Sequence, residues 1–184
     1  MPTINDIYQV CSKYSGSGYF LGNAIPSKRL ANASAQIKIP NETTVIAFID
    51  GTLTASGKHG IVICDSGLYW SNNWTTKTSR NYLSWIEFSN VSIRLGKDVT
   101  ESDIELGEGN LYNSSSTYLG KDKLLQLLKE LQYLAKYSPE SIEPAHKSDH
   151  RSPIDSSPPL PPGEEKSWFV GISGQQKGPF ALQN

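Results

Sequence analysis

The chain has 184 residues, with 17 Lys and Arg against 18 Asp and Glu, for a formal net charge of -1. That balance excludes both a strongly basic nucleic-acid binder and an acidic tail protein. The length suits one ordinary domain and a smaller element, and the longest apolar run, residues 45–49, falls far short of the ~18 to 20 residues of a membrane-spanning helix.

Cys11 and Cys64 are the only cysteines, too few for a disulfide framework, and Asp6 and Lys13 interrupt any basic-then-apolar leader. The expectation is a cytoplasmic protein with reduced thiols. Residues 4–14 place Ile4, Ile7, Tyr8 and Cys11 on one side of a short amphipathic helix, and residues 27–37 read as another. Both belong to an N-terminal helical extension, residues 1–39, that packs on the domain following it.

Residues 43–116 are dense in β-branched and aromatic side chains and are interrupted by turn formers such as Asp50-Gly51, Asp65-Ser66-Gly67 and Gly107-Glu108-Gly109. Strands are expected at residues 44–50, 59–64, 68–72, 81–88, 91–95, 104–106 and 111–118, with turns close enough for an antiparallel meander. Cys64 falls on a buried strand, where a thiol behaves as a small apolar group. In residues 121–137, Leu124, Leu127, Leu128, Leu131 and Leu134 form one stripe of a 3.6-residue helix, a packing face for the sheet.

Residues 138–167 hold seven of the eleven prolines and only Ile142, Ala145, Ile154 and Leu160 as apolar residues. So little apolar area cannot offset the entropy of ordering, and the segment reads as a Pro/Ser-rich disordered linker with a typical span of ~30 Å. Residues 168–184 read as a strand, a Ser-Gly turn and a second short strand.

The reaction-bearing motifs are sparse. The run Val45-Ile46-Ala47-Phe48-Ile49-Asp50-Gly51-Thr52 resembles the first motif of haloacid-dehalogenase-type phosphatases, which needs two carboxylates one residue apart. Phe48 stands where the nucleophile belongs, and a phenyl ring cannot form an acyl phosphate. Asp50-Gly51 is therefore read as a turn after a strand. His59, in Gly57-Lys58-His59-Gly60, is expected in solvent at a loop edge without a Ser or Cys partner. His146 and His150 have i, i+4 spacing, but the linker composition and the missing Cys pair argue against zinc. No metal or other cofactor is expected. Sequons beginning at Asn32, Asn41, Asn73, Asn90 and Asn113 are attributed to a composition rich in Ser, Thr and Asn.

A strand meander closed by one amphipathic helix resembles the pleckstrin-homology-like superfold. The segments Ile39-Pro40, Val45-Ile46-Ala47, Asp50-Gly51-Thr52, Gly57-Lys58-His59-Gly60-Ile61, Asp65-Ser66-Gly67-Leu68-Tyr69 and Trp85-Ile86-Glu87-Phe88 resemble the bacterial PH-like domains. The resemblance implies an α+β, mostly β fold over residues 40–137: an antiparallel barrel or sandwich of six to seven strands capped by the C-terminal helix. At the far end, Trp168, Phe169, Gly178, Pro179 and Phe180 are similar to the opening of bacterial GYF-like domains, although Val170 replaces a commonly aromatic position and the chain stops where the family's helix begins. That resemblance implies a reader of proline-rich peptides, in which a preformed polyproline II helix docks on aromatic faces. The chain carries such a sequence itself in Pro158, Pro159, Pro161, Pro162 and Gly163; Trp168 follows too closely for easy back-folding, so exchange between two chains is the expected geometry.

The functional expectation is a non-enzymatic adaptor or scaffold that binds a protein partner, a proline-rich peptide among the candidates, with homo-oligomers through linker and hairpin exchange and no nucleic-acid partner. The alternative is a membrane-peripheral lipid binder using exposed Trp70 and Trp74 beside Lys77 and Arg80.

Overall fold

The computed structural model describes residues 1–73, 76–95 and 103–138, together with the backbone of residues 170–172 and 175–177. Chain order gives α1 (Ile4–Cys11), β1 (Tyr19–Leu21), α2 (Ser27–Ile37), β2 (Val45–Asp50), β3 (Gly60–Cys64), β4 (Gly67–Ser71), β5 (Tyr82–Ser84), α3 (Trp85–Asn90), β6 (Ile93–Leu95), β7 (Asp103–Leu106), β8 (Leu111–Asn113) and α4 (Lys121–Tyr137). A first compact unit spans Met1–Ala145 and a second His146–Asn184. In the second, β9 (Val170–Ile172) pairs antiparallel with β10 (Gln175–Lys177).

The first unit is α+β and mostly sheet. Strands β1 to β5 form an open antiparallel sheet in sequential order, and β6, β7 and β8 form a separate three-stranded one. The expected meander is thus present, divided into two sheets. Among the described residues the two are bridged by side-chain and loop hydrogen bonds. The Asn72 carboxamide donates through Nδ2 to the Leu111 carbonyl at 2.7 Å and accepts through Oδ1 from the Asn113 amide at 2.9 Å. Beside it, the Ser79 amide donates to the Gly109 carbonyl at 3.0 Å.

Strands β2 and β3 are buried along nearly their whole length because both faces of the large sheet are covered. Their pleat sorts the side chains: Phe48, Val62, Cys64 and Tyr69 pack with Ala33 and Ile37 of α2, whereas Ala47, Ile49, Ile61, Ile63 and Trp70 join Ile7 and Cys11 of α1 and the leucines of α4. A register shift between Val45 and Ala47 puts both Ile46 and Ala47 in the second cluster. The same core takes Ile104, Leu106 and Tyr112 from the small sheet, so α4 lies where the two sheets and α1 converge. Its leucine stripe is core as expected: Leu124, Leu127, Leu128 and Leu131 are fully buried.

Several expected boundaries change. Residues 81–88, read as one strand, divide at Ser84 into β5 and α3. Ser84 caps α3: its hydroxyl accepts from the Glu87 amide at 3.3 Å while the Glu87 carboxylate accepts from the Ser84 amide at 2.9 Å. Residues 111–118 carry a strand only at Leu111–Asn113 before turning, and β1 forms where no strand was expected. Both cysteines are buried and free; burial pushes the Cys11 thiol up to about 12.

The α3 cap yields a test. Ser84→Ala should cost ~1 kcal/mol in urea denaturation, the usual effect of losing an N-cap hydroxyl. Hydrogen bonds from the Ser84 amide, then from Arg80 and the Ser84 hydroxyl, pull the Glu87 carboxyl down to about 2 from its ordinary 4.5. A depressed carboxyl stabilises the fold fully above its ordinary value and loses that effect as pH falls towards the folded one. The melting-temperature gap between wild type and Glu87→Gln should therefore be widest above pH 4.5 and close towards about pH 2. Because Glu87 is 40% exposed, salt should shrink the gap. A gap constant from neutrality to pH 2 would refute this assignment.

Candidate functional site

Two places gather polar chemistry, one where β2 ends and one along α4. At the first, the Asp50 side chain is 1% exposed. Its Oδ1 accepts from the Thr52 amide at 2.9 Å and from the Thr52 hydroxyl, while Oδ2 faces Arg29 Nη1 at 3.4 Å. Arg29 in turn lies over the Phe20 ring, 4.9 Å from its centroid. Thr52 Oγ1 accepts from the amides of Ser56 and Gly57, which folds the following loop over the carboxylate. The glycines here are packing devices. A Cβ on Gly57 would stand 2.7 Å from the Arg29 carbonyl oxygen, and one on Gly51 the same distance from the Tyr112 hydroxyl. Tyr112, its hydroxyl 3.0 Å from Thr117 Oγ1, is raised to about 12 by burial. The carboxylate at the phosphatase-like position is thus an anchor for its own loop and for α2; the turn expected at Asp50-Gly51 falls instead at Leu53 and Thr54, because the Gly51 amide still bonds the His59 carbonyl.

His59 departs from its expected setting. It is half-buried, and its Nδ1 lies 3.1 Å from Ser71 Oγ, a partner that cross-strand pairing supplies: Gly60 is opposite Ser71. Burial, reinforced by Lys58 and opposed by Asp50, lowers its pKa and favours the neutral ring. A serine beside a neutral imidazole has the outline of a nucleophile and base. The third member of such a relay would have to orient the ring, and the nearby Asp50 has both oxygens engaged by Thr52 and Arg29.

The second place is a groove of about 810 Å³ between α1 and α4. Its apolar floor is Val10, Leu125 and Leu134, half-buried residues at the edge of the main core. One end is locked by Glu130, which accepts from the Tyr14 hydroxyl at 2.8 Å, from Lys13 at 3.1 Å and from Gln126 at 3.3 Å. The Tyr14 bond first, then the Lys13 contacts, hold the Glu130 carboxyl below its usual range. From the rim stand Tyr133 and Tyr137, 68% and 61% exposed, one helical turn apart with ring centroids at 4.6 Å. Lys136 Nζ lies 5.7 Å from the Tyr137 ring centroid. Beyond the tyrosines a smaller hollow, about 370 Å³, reaches α3. There Gln132 donates to the Phe88 and Val91 carbonyls at 2.9 and 2.6 Å, tying α3 to α4.

Of the site residues expected from sequence, Trp70, Lys77 and Arg80 are described, and they do not line either place. Trp70 is fully buried in the core, not exposed, because β4 is covered on both faces; alternation with Tyr69 puts it on the side of α1 and α4. Arg80 is paired with Glu87 at 2.8 Å, Lys77 is exposed, and Trp74 lies outside the described residues. The expected basic and aromatic lipid loop therefore loses one of its two tryptophans. Trp168, Phe169, Gly178, Pro179, Phe180 and the Pro158–Gly163 sequence also lie outside the described residues. Tyr133 and Tyr137, which the sequence reading passed over, sit off the leucine stripe with Lys129, which it placed on the side opposite the leucines. Helical spacing alone would have put them on an outer face: Gln126, Lys129, Tyr133 and Tyr137 recur every three or four residues.

No family model matches the chain, and no curated protein or solved structure matches it. No helix among the described residues is long and apolar enough to cross a membrane.

Proposed function

We propose that the chain is a non-enzymatic adaptor: a PH-like domain over residues 40–137 that binds a protein partner, tethered to a GYF-like element that reads proline-rich peptides. The observation that carries the reading is the pair of tyrosines exposed beside the α1/α4 groove. Tyrosine gives a large, stiff contact area at low entropic cost, and it is enriched among residues that dominate protein interfaces. Isolated exposed aromatics are ordinary on a surface; two in tilted contact, their planes 44° apart, beside an apolar-floored groove offer a contiguous face for binding. An antiparallel meander, interrupted by α3 and ended by one long packed helix, supports the PH-like part, to whose sheet and core residues 1–39 add β1, Ile7 and Cys11. Linking two modest contacts raises the effective concentration of the second, and so suits a tethered layout.

The test is site-directed photo-crosslinking in the native host. A benzophenone amino acid at position 133 or 137 should give discrete higher-mass adducts. The same residue at position 53, where Leu53 is 74% exposed on the Asp50 loop, should not. Equal labelling from all three positions, or none from 133 and 137, would sink the reading.

A further inference from the structure

We infer that the joint between the two sheets is acid-sensitive: protonation of His59 turns the Ser71 hydroxyl from the imidazole onto the Asn72 backbone, and so loosens the Asn72 clamp on β8. His59 Nδ1 lies 3.1 Å from Ser71 Oγ, and the Asn72 carbonyl oxygen lies 3.5 Å from the same hydroxyl. The first contact is within ordinary hydrogen-bond range and the second at its limit, so the hydroxyl proton goes to Nδ1 while the ring is neutral. A protonated imidazole carries hydrogen on both nitrogens and can only donate. Ser71 Oγ must then accept from the ring and direct its own proton elsewhere, and the Asn72 carbonyl is within reach. Shortening that contact to the usual ~2.7–2.8 Å moves the Asn72 peptide unit. The same residue's carboxamide holds the Leu111 carbonyl and the Asn113 amide, so the displacement is delivered where the sheets meet.

The surroundings of the ring oppose its charge. Burial, then the neighbouring Lys58, hold the His59 pKa below its ordinary 6.5, with Asp50 acting the other way. The Asp50 oxygens at the end of β2 are already bound by Thr52 and by Arg29 from α2. From β4 the ring meets the uncharged Ser71, and beyond Gly51 the Tyr112 hydroxyl of β8 stays protonated, because burial raises it to about 12. A base whose folded pKa is lowered contributes its full stability above its ordinary value, and loses it as pH falls below, because the unfolded chain takes up the proton more readily. The loss therefore begins below about pH 6.5. It is local, since Gly60 and Ser71 pair at the end of the ladder between β3 and β4 and not at its centre.

The test is amide hydrogen exchange on the full chain at about pH 7.5 and about pH 5.5, either side of the histidine range, read by NMR and corrected for the intrinsic rate at each pH. Protection of the Asn113 amide, which donates to the Asn72 carboxamide, should fall by about threefold or more at the lower pH. The amides of Ile61, Val62 and Ile63, inside the large sheet, should keep theirs. His59→Gln, which leaves His146 and His150 in place, should abolish the fall at Asn113. Ser71→Ala should leave the His59 ring titrating but uncouple Asn113 from it, which a purely long-range effect of the charge would not do. Unchanged Asn113 protection in the wild type would overturn the inference, and that comparison needs no variant to fold. So would a parallel fall at residues 61–63, an equal fall in His59→Gln, or a fall that persists in Ser71→Ala.

Discussion

Gly60→Ala should abolish the stable fold or lower its stability by at least ~3 kcal/mol, read by urea denaturation and far-ultraviolet circular dichroism. Gly60 holds φ at +149°, and a Cβ there would lie 2.1 Å from the Ile49 carbonyl oxygen. The obstacle is backbone of the central ladder, so relief requires β2 and β3 to separate where Asp50 faces Gly60 and the Gly51 amide donates to the His59 carbonyl. A side chain in such a conformation costs ~1–3 kcal/mol, and forcing well-packed groups apart costs about as much again. Against a total stability of ~5–15 kcal/mol the sum is severe. Gly120→Ala is the internal control: φ is +84°, but no atom lies within 4 Å of the new Cβ, so only the conformational part should appear. Equal losses at the two positions would show that the close approach at Gly60 is not what constrains the ladder.

Trp85→Ala should cost ~3–5 kcal/mol, the range for emptying a buried aromatic site. Trp85 is 1% exposed, meets Phe88 edge-on at 5.9 Å and donates from Nε1 to the Asp65 carbonyl at 2.8 Å and the Cys64 carbonyl at 3.2 Å. It thus fastens the first turn of α3 to the turn between β3 and β4. Trp85→Phe keeps much of the packing but leaves those carbonyls without this donor, so it should fall between wild type and the alanine variant, ~1–3 kcal/mol down. A phenylalanine variant as stable as wild type would assign the residue's whole effect to packing. Urea titration followed by circular dichroism measures all three proteins without relying on the removed indole.

The parts of this fold legible in the sequence are those where one local signal has one structural answer. Five leucines at helical spacing require a buried face, and α4 has it. A four-residue apolar run between turn formers, as at Ile61 to Cys64, becomes a strand covered on both sides. Misreadings occur where two signals share residues. Asn81 to Phe88 carries aromatic and β-branched side chains, which argues for strand, yet Ser84 and Glu87 at capping-box spacing end the strand and start a helix. Trp70 looks like a surface aromatic when it is read with its polar neighbours, but β4 is covered on both faces, and pairing with Ile61 sets only which of the two clusters it joins. The His59 and Ser71 pair depends on which strands lie side by side, and no spacing along the chain encodes it. For the α1/α4 groove, the helical spacing of the outer tyrosines was legible, but its apolar floor exists only once α1 has docked.

The two sheets meet at one corner through the carboxamide of Asn72, which imitates a peptide unit by offering a donor to Leu111 and an acceptor to Asn113. That imitation depends on the side-chain nitrogen. Conversion of this asparagine to aspartate would put a charged oxygen where the Leu111 carbonyl now receives a proton, so chemical ageing at a single amide would set the two ladders in mutual repulsion while leaving each of them intact.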